Sequence, residues 1–540
     1  MARLALSDCA RALGAAFDGE DVELAGVGID TRTLEPGALY VAIRGERFDG
    51  HDFVAEAERA GARAVLASRA VETALPVLRT DDTRRALGRL ASARLARLGT
   101  PVVAITGSNG KTTLKELLAA ILGEVGPTLA TRGNLNNELG VPLTLLRLAP
   151  EHRYAVVEMG ANAPGEIARL AAIAPPAVGV ITNIGPAHLE GFGSLAGVAR
   201  AKTELYAALD AEGIAVINAD DAFADTLRER AAHCRRLEFG RAARDGVRPL
   251  EGDERGAAAP DALVVALPGG GRLTARLALV GEHNRANALA AIAAAQALDV
   301  PDDAIVAGIE RARAAPGRLE TRTLPGGATL IDDSYNANPA STGAALTVLA
   351  ARGGRRHLVL GDMAELGTEA ETLHARIGAD VHEAGIEGFW TLGVLAAHAG
   401  RAWRDAAARA GSSASDDERD GTAVDARGGH FDDATALARA LAARLDGDST
   451  VLVKGSRGAR MERVVEALET ALGREGAVGS DGGSGGRASG SGTGPAVAEA
   501  VSSDAVAPSG GAPDDVAPNG DAPSAAVANT LAAMASGVCP

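Results

Sequence analysis

The stretch VVAITGSNGKTTLKELLAAIL, residues 102–122, restricts the fold more than any other part of the chain. An apolar run ends at Thr106, a glycine-bracketed loop follows, and Lys111, Thr112 and Thr113 open a helical pattern. Strand, tight loop and helix in that order make a phosphate cradle. Gly107 and Gly110 let the loop Gly107-Ser108-Asn109-Gly110 curl so that backbone N–H groups converge on phosphate oxygens, and the helix N-terminus adds a favourable dipole. Lys111 is placed to neutralise β/γ-phosphate charge, and the hydroxyl of Thr112 or Thr113 to ligate Mg²⁺. An ordinary glycine-rich turn is the competing reading, and the flanking strand and helix argue against it. The first glycine of the common eight-residue loop is missing. No guanine-reading N-K-x-D follows, which argues against a GTPase switch, and no coupling element of a motor is visible.

The surrounding chain repeats the pattern. YAVVEMG, AVGVITNI and GIAVINAD are short apolar runs ended by turn residues and separated by helical stretches. Alternation of this kind implies a parallel sheet covered on both faces. A second series runs through ATLIDDSY, RHLVLGDM, GFWTLG and STVLVKGS, with amphipathic segments such as TEAETLHARIGADVHEAG between. The first hundred residues mix short β-like runs with turns. A chain of 540 residues exceeds one core at about 150 residues per domain. The expected divisions are 1–98, 99–314 and 315–473, followed by 474–540, a Gly/Ser/Ala/Pro-rich tail. With only 3% aromatic residues, the cores must be built from Ala, Val, Leu and Ile. GSSASDDERDGTAVDARGG reads as a mobile surface loop. The tail cannot bury enough apolar surface to offset chain entropy, so disorder is expected there, apart from a weak helical signal in AAVANTLAAMASG.

A net charge of −16 argues against a general nucleic-acid binder, although a local pocket can still oppose the global charge. The three cysteines, Cys9, Cys234 and Cys539, lie far apart without metal-like spacing, which fits a reducing compartment. Asp8 and Arg11 interrupt the start where a signal peptide would need apolar residues, and no run approaches the roughly 20 apolar residues that cross a bilayer. A cytoplasmic protein with no membrane contact is expected.

Downstream clusters fall at strand ends or helix starts, where open α/β sheets bind ligands. Glu158 closes an apolar strand, either as a metal ligand beside the phosphates or as a solvated acid. His188 follows a strand and a proline turn, Ser194 looks like an N-cap, and Lys202 sits about two turns into the helix. Each of the last two basic residues is, by type alone, more often a surface residue. His283, Asn284 and Asn287 open a very apolar helix, as caps or as readers of an adenine edge. Arg318, Asp332, Asp333, Tyr335 and Asn336 gather near a strand end, suiting phosphate and ribose contacts or a structural salt bridge.

Together these segments resemble the Mur ligase family, the ATP-dependent amide ligases of peptidoglycan precursor synthesis. The resemblance runs from about residue 25 to 470 and rests on DTRTLEPGALYVAIRGERFDGHDF, GNLNNELGVPLTLLRL, AHLEGFGSLAGVARAKTELY, PGRLE, DDSYNANP, LGDMAELG and VLVKGSRG. It implies a three-domain α/β architecture: a mixed α/β uridine-nucleotide domain, a central phosphate-loop parallel-sheet ATPase domain and a C-terminal Rossmann-like domain. By the same resemblance, Gly107 through Thr113, Asn287, Arg318 and Asp333 bind ATP. Thr112, Glu158 and His188 hold Mg²⁺ with Lys202, the position related ligases carbamylate. Thr31, Arg32, His51, Asn134, Asn136 and Asn137 are implied substrate contacts, as are Lys454, Ser456 and Arg457 in VKGSRG. Within the family the pattern is nearest to the members that join D-alanyl-D-alanine to UDP-MurNAc-tripeptide through an acyl phosphate. The neighbouring member that adds a diamino acid typically carries D-N-P-R, which is absent here, while GDMAELG is present. Folylpolyglutamate synthase shares the nucleotide core without the N-terminal domain. A monomer is expected.

Overall fold

Along the strand Val102–Thr106, Val102 and Ala104 enter one apolar core and Val103 and Ile105 the other. A strand buried on both faces reads as an unbroken apolar run. The same alternation holds in Tyr154–Glu158, where Ala155 and Val157 face one core and Val156 the opposite one. In the computed structural model, which describes residues 4–250, 261–410 and 427–478, these strands belong to a six-stranded, wholly parallel sheet. Its order is Arg235–Phe239, Ile214–Asn218, Val178–Ile181, Val102–Thr106, Tyr154–Glu158, Thr128–Ala130. The chain leaves Val102–Thr106 toward one edge, then returns to build the other, so a topological switch point lies at the strand's C-terminal end. The phosphate loop begins there.

The helices Lys111–Gly123, Glu282–Gln296 and Asp302–Arg311 cover one face. The other face is packed by Glu166–Ile173, Leu195–Lys202 and Thr83–Leu98. The last of these helices starts at Asp82, whose side chain accepts from the backbone N–H groups of Arg84 and Arg85, and stops at Gly99 in the left-handed conformation. It comes from the N-terminal region, where a five-stranded mixed sheet is ordered Phe17–Asp18, Val77–Arg79, Ala64–Ala67, Leu39–Val41, Val27–Gly28. One apolar cluster runs without interruption from Leu4 to Ala231, and buried Arg94 donates through Nε and Nη2 to the carbonyl of Leu148 at 3.1 and 2.7 Å. The N-terminal and central parts therefore share a core.

The C-terminal part is a second six-stranded sheet in the order Glu320–Thr323, Thr329–Asp333, Ser449–Lys454, Arg355–Gly361, Gly388–Leu392, Gly428–Phe431, parallel except at the antiparallel first edge. Two separate apolar clusters cover its faces. Three features differ from the sequence expectations. A small antiparallel sheet of Arg248–Pro249, Ala262–Ala266 and Arg272–Arg276 was not foreseen. The final helix, Glu462–Val478, runs past Gly473, where the tail was expected to begin. Of the expected loop at 411–429, residues 411–426 lie outside the described residues, and its last two glycines start the edge strand Gly428–Phe431. The tail from residue 479, including AAVANTLAAMASG, also lies outside them.

Candidate active site

The phosphate loop is held from one side by the turn after Val178–Ile181. Thr182 Oγ1 donates to the carbonyl of Asn109 at 2.6 Å, and Asn109 N–H donates to Asn183 Oδ1 at 3.0 Å. Ser108 Oγ donates to the carbonyl of Gly185 at 2.8 Å. Gly107 has φ +142° and Gly110 φ +82°, so both adopt backbone that favours glycine. Asn287 lies directly against Gly110, within 2.4 Å of where a Cβ would stand. Lys111 curls back to donate to the carbonyls of Gly107 and Ser108 at 2.8 and 3.3 Å. Loss of water lowers its ammonium pKa; Glu158 opposes that shift, and the charge of Arg318 adds to it. Arg318 and Lys202, whose charge interacts with that of Lys111, therefore converge on this loop. An acidic chain thus carries a local cationic pocket at a helix N-terminus, which suits a polyphosphate.

Parallel register sets Glu158 beside Ile105, one strand from the loop. Its buried carboxylate accepts from Thr112 Oγ1 at 2.9 Å and from Asn136 Nδ2 at 2.8 Å, while its backbone N–H donates to Thr131 Oγ1 at 3.0 Å. Thr112, the first of the two threonines, is thus the one joined to Glu158. Asn136, one of the implied substrate contacts, orients this carboxylate. Among the described residues no group of three or more His, Cys, Asp or Glu forms a ready metal cluster. The oxygens of Thr112 and Glu158 still fit Mg²⁺, which is held by one or two carboxylates with substrate phosphates completing its shell.

Ser194 caps the helix Leu195–Lys202 as its sequence suggests, accepting from Gly197 N–H at 3.1 Å. The helix delivers Lys202 into the core at 1% exposure, with Nζ 5.5 Å from the Phe192 ring centre. Burial first, and the charge of Lys111 second, pull its pKa down to about 7, against Glu166 and Glu204. His188 stands in the left-handed conformation, φ +52°, and its Nδ1 contacts the carboxylate of Glu365 from the C-terminal sheet. A second contact crosses the same boundary: Asn338 Nδ2 donates to Asn109 Oδ1 at 2.8 Å, linking residues 229 apart.

Around Asn287, the amide Nδ2 donates to Asn284 Oδ1 at 3.2 Å, and Asn284 Nδ2 donates to the carbonyl of Val280 at 2.8 Å. The guanidinium of Arg318 sits over the Tyr335 ring, 4.3 Å from its centre, and that of Arg457 lies 5.6 Å from the same ring. Arg457 also donates to Glu462 Oε1 at 3.3 Å. Asp333 accepts from Leu319 N–H at 3.2 Å and from Lys454 Nζ at 2.5 Å, and Lys454 further donates to the carbonyl of Asn336 at 3.0 Å. Lys454 is therefore held in a buried ion pair. Ser456 is buried beside Asp362, donating its N–H to that residue's carbonyl at 2.9 Å.

The N-terminal candidates behave differently. His51 is buried, with Nδ1 2.5 Å from Asp49 Oδ1 and Nε2 accepting from Ser68 N–H at 2.9 Å. Both ring nitrogens are engaged, so it ties Asp49 to Ser68. Arg32 is exposed and forked onto Asp30 at 2.9 and 2.7 Å, with Thr31 in the intervening turn. Asn134 is exposed, and Asn137 Oδ1 accepts from the N–H groups of Leu139 and Gly140 at the start of a helix. Sequence reasoning missed Asn183, Asn338 and Glu365. All three lie inside stretches already singled out, but nothing local marks their partners.

Three family models match in chain order: "Mur ligase family, catalytic domain" over residues 23–95, "Mur ligase middle domain" over 105–295, and "Mur ligase, glutamate ligase domain" over 317–457. The UDP-N-acetylmuramoyl-tripeptide–D-alanyl-D-alanine ligase of Escherichia coli is 42% identical over 471 residues, covering 87% of this chain and 99% of that one. A crystal structure of MurF from Acinetobacter baumannii superposes with a TM-score of 0.77 at 34% identity over 87% of this chain and 99% of that one. MurF ligase from Thermotoga maritima, in complex with ADP, gives 0.69 at 28% identity over 83% and 98%. With its phosphate loop, its cationic pocket and these likenesses over nearly the whole described length, the chain belongs to the Mur ligase family.

Proposed function

We propose that this chain is the ATP-dependent ligase that joins D-alanyl-D-alanine to UDP-MurNAc-tripeptide, giving UDP-MurNAc-pentapeptide, ADP and phosphate. The carrying observation is the 42% identity to the Escherichia coli enzyme of that name across 87% of this chain. The geometry of Lys111, Thr112 and Glu158 supports the chemistry. A peptide carboxylate is a poor electrophile, because its leaving group would be oxide. Transfer of the γ-phosphoryl group from ATP to a carboxylate oxygen forms an acyl phosphate and releases ADP. The unprotonated amine of the dipeptide then attacks the acyl carbon, forming the C–N bond as the C–O bond to phosphate breaks.

Lys111 and the loop N–H groups bind the transferring phosphates, and Arg318 adds charge from the C-terminal sheet; positioning and charge stabilisation are most of what phosphoryl transfer needs. Thr112, Glu158, His188 and carbamylated Lys202 would hold Mg²⁺, which when bound spreads the charge of the transferring group. The neutral amine of Lys202 adds to CO₂, gaining an N–C bond and losing a proton to give the carbamate. Asn287, at the loop, suits the adenine, and Asp333 the ribose. The divisions 1–98, 99–314 and 315–473 then hold the uridine nucleotide, ATP and the incoming dipeptide, with Thr31 and Arg32 on the first. One chain supplies every one of these parts, which supports a monomer. No described helix is long and apolar enough to cross a membrane, in keeping with a cytoplasmic site of action.

The test is phosphate release from ATP with UDP-MurNAc-tripeptide, with and without D-alanyl-D-alanine. Release that needs both, with a product heavier by the dipeptide less water, is expected. Release driven by a free diamino acid on the dipeptide precursor would assign the chain to the preceding step instead.

A further inference from the structure

Glu365 lies in the turn Gly361–Gly367 after the strand Arg355–Gly361, and its carboxylate reaches His188 on the central part of the molecule. Both residues adopt left-handed backbone, at φ +61° and +52°. Such conformations cost free energy in non-glycine residues and persist where the surroundings fix them. Here two separate loops carry that strain to a point where they touch. A carboxylate only accepts hydrogen bonds, so the contact requires the proton on His188 Nδ1. In the neutral imidazole this leaves the Nε2 lone pair unprotonated.

We infer that Glu365 is a positioning residue for the metal: a C-terminal-domain carboxylate that orients His188 and fixes its tautomer with Nε2 as the ligating atom. The inference rests on the reading that His188 is a metal ligand. Metal-binding histidines regularly donate their other N–H to a carboxylate, and loss of that partner typically costs about 10–100-fold in metal affinity. The distinctive consequence is that the partner comes from another domain. The grip on the ion is therefore complete only when the C-terminal sheet is docked on the central one.

The experiment uses the full chain with ADP and Mn²⁺ as the probe, reading Mn²⁺ affinity and the electron spin-echo modulation of a metal-bound imidazole nitrogen. Glu365→Ala is expected to weaken Mn²⁺ binding about tenfold or more and to diminish the nitrogen signal. Glu365→Gln, whose amide oxygen still accepts from Nδ1–H, should fall between. His188→Ala should abolish the nitrogen signal, and adding Glu365→Ala to it should change nothing further. Asn338→Ser keeps a capping hydroxyl for the helix Pro339–Ala350 but cannot reach Asn109; it removes the other cross-boundary contact and should weaken Mn²⁺ binding clearly less than Glu365→Ala, with the nitrogen signal kept. If Glu365→Ala retains wild-type affinity and signal while His188→Ala loses them, the positioning role is overturned and the ligand reading stands. An unchanged His188→Ala overturns both. Equal losses in Asn338→Ser and Glu365→Ala would assign the effect to domain contact in general and overturn the specific role.

Discussion

Lys202 makes its chemistry visible through burial. Its amine sits in the core against Phe192, and its pKa of about 7 means that it is mostly charged a unit below that pH and mostly neutral a unit above. Only the neutral form adds to CO₂. At fixed dissolved CO₂, carbamate on Lys202 should therefore rise with pH through about 7, seen as a ¹³C signal from labelled CO₂ that Lys202→Arg removes. Occupancy independent of pH between 6 and 8 would sink the idea. The unmodified lysine also links to stability: its folded pKa is below the unfolded value of about 10.4. The unfolded chain thus binds more protons between about 7 and that value, and stability should rise with pH across this window. On the proposed reading Lys111 acts on substrate charge instead, so Lys111→Met should keep the fold and lower phosphate release about 10²–10³-fold. His51 shows what a resemblance leaves out: it is implied as a substrate contact, and its two nitrogens hold Asp49 and Ser68. His51→Ala should cost about 1–3 kcal/mol in a urea titration.

At the scale of elements, the phosphate loop was legible because its signals are local: an apolar strand buried on both faces, glycines where φ is positive, and a helix start. What the loop touches was not. Gly110 must be glycine both for its φ of +82° and because a Cβ would meet Asn287 Oδ1 at 2.4 Å, a contact made with a helix that begins at Glu282. Gly110→Ala should keep the global fold by circular dichroism and weaken ADP binding at least about tenfold, since left-handed backbone costs about 1–2 kcal/mol and Asn287 must move. Calorimetry showing wild-type ADP affinity would refute this. The small antiparallel sheet escaped notice although ALVVA is an apolar run, because its neighbour RLTAR is short and half polar and its third strand is only Arg248–Pro249. The ion pair of Lys454 was likewise not legible, since only the register with Thr329–Asp333 sets it beside Asp333 inside the sheet. Strand and turn chemistry is written in neighbours along the chain, whereas the partners of Asn109, His188 and Lys454 are set by packing between distant segments.

Across the whole molecule, the two boundaries are built differently. The N-terminal and central parts share one dry core and the buried Arg94–Leu148 contact, so they should move as a single body. The C-terminal sheet has its own cores, and it meets the central part through Val280 packed on one of them and through the polar pairs Asn338–Asn109 and His188–Glu365. Polar contacts of this kind are far weaker than a shared core. An acyl phosphate in an open site would be hydrolysed, so a ligase of this class must exclude water before transfer. The C-terminal sheet is then the part expected to dock and release. Hydrogen exchange tests this without assuming a pathway. Addition of ADP, Mg²⁺ and the uridine substrate should protect the amides around His188 and those around Glu365 together, because neither loop can close alone. Exchange along the helix Thr83–Leu98, and beside Leu148, should stay unchanged. Protection of one loop without the other, or altered exchange in that helix, would place the moving boundary elsewhere. With Glu365→Gln, protection of both loops should weaken in parallel, tying the motion to the contact that spans it.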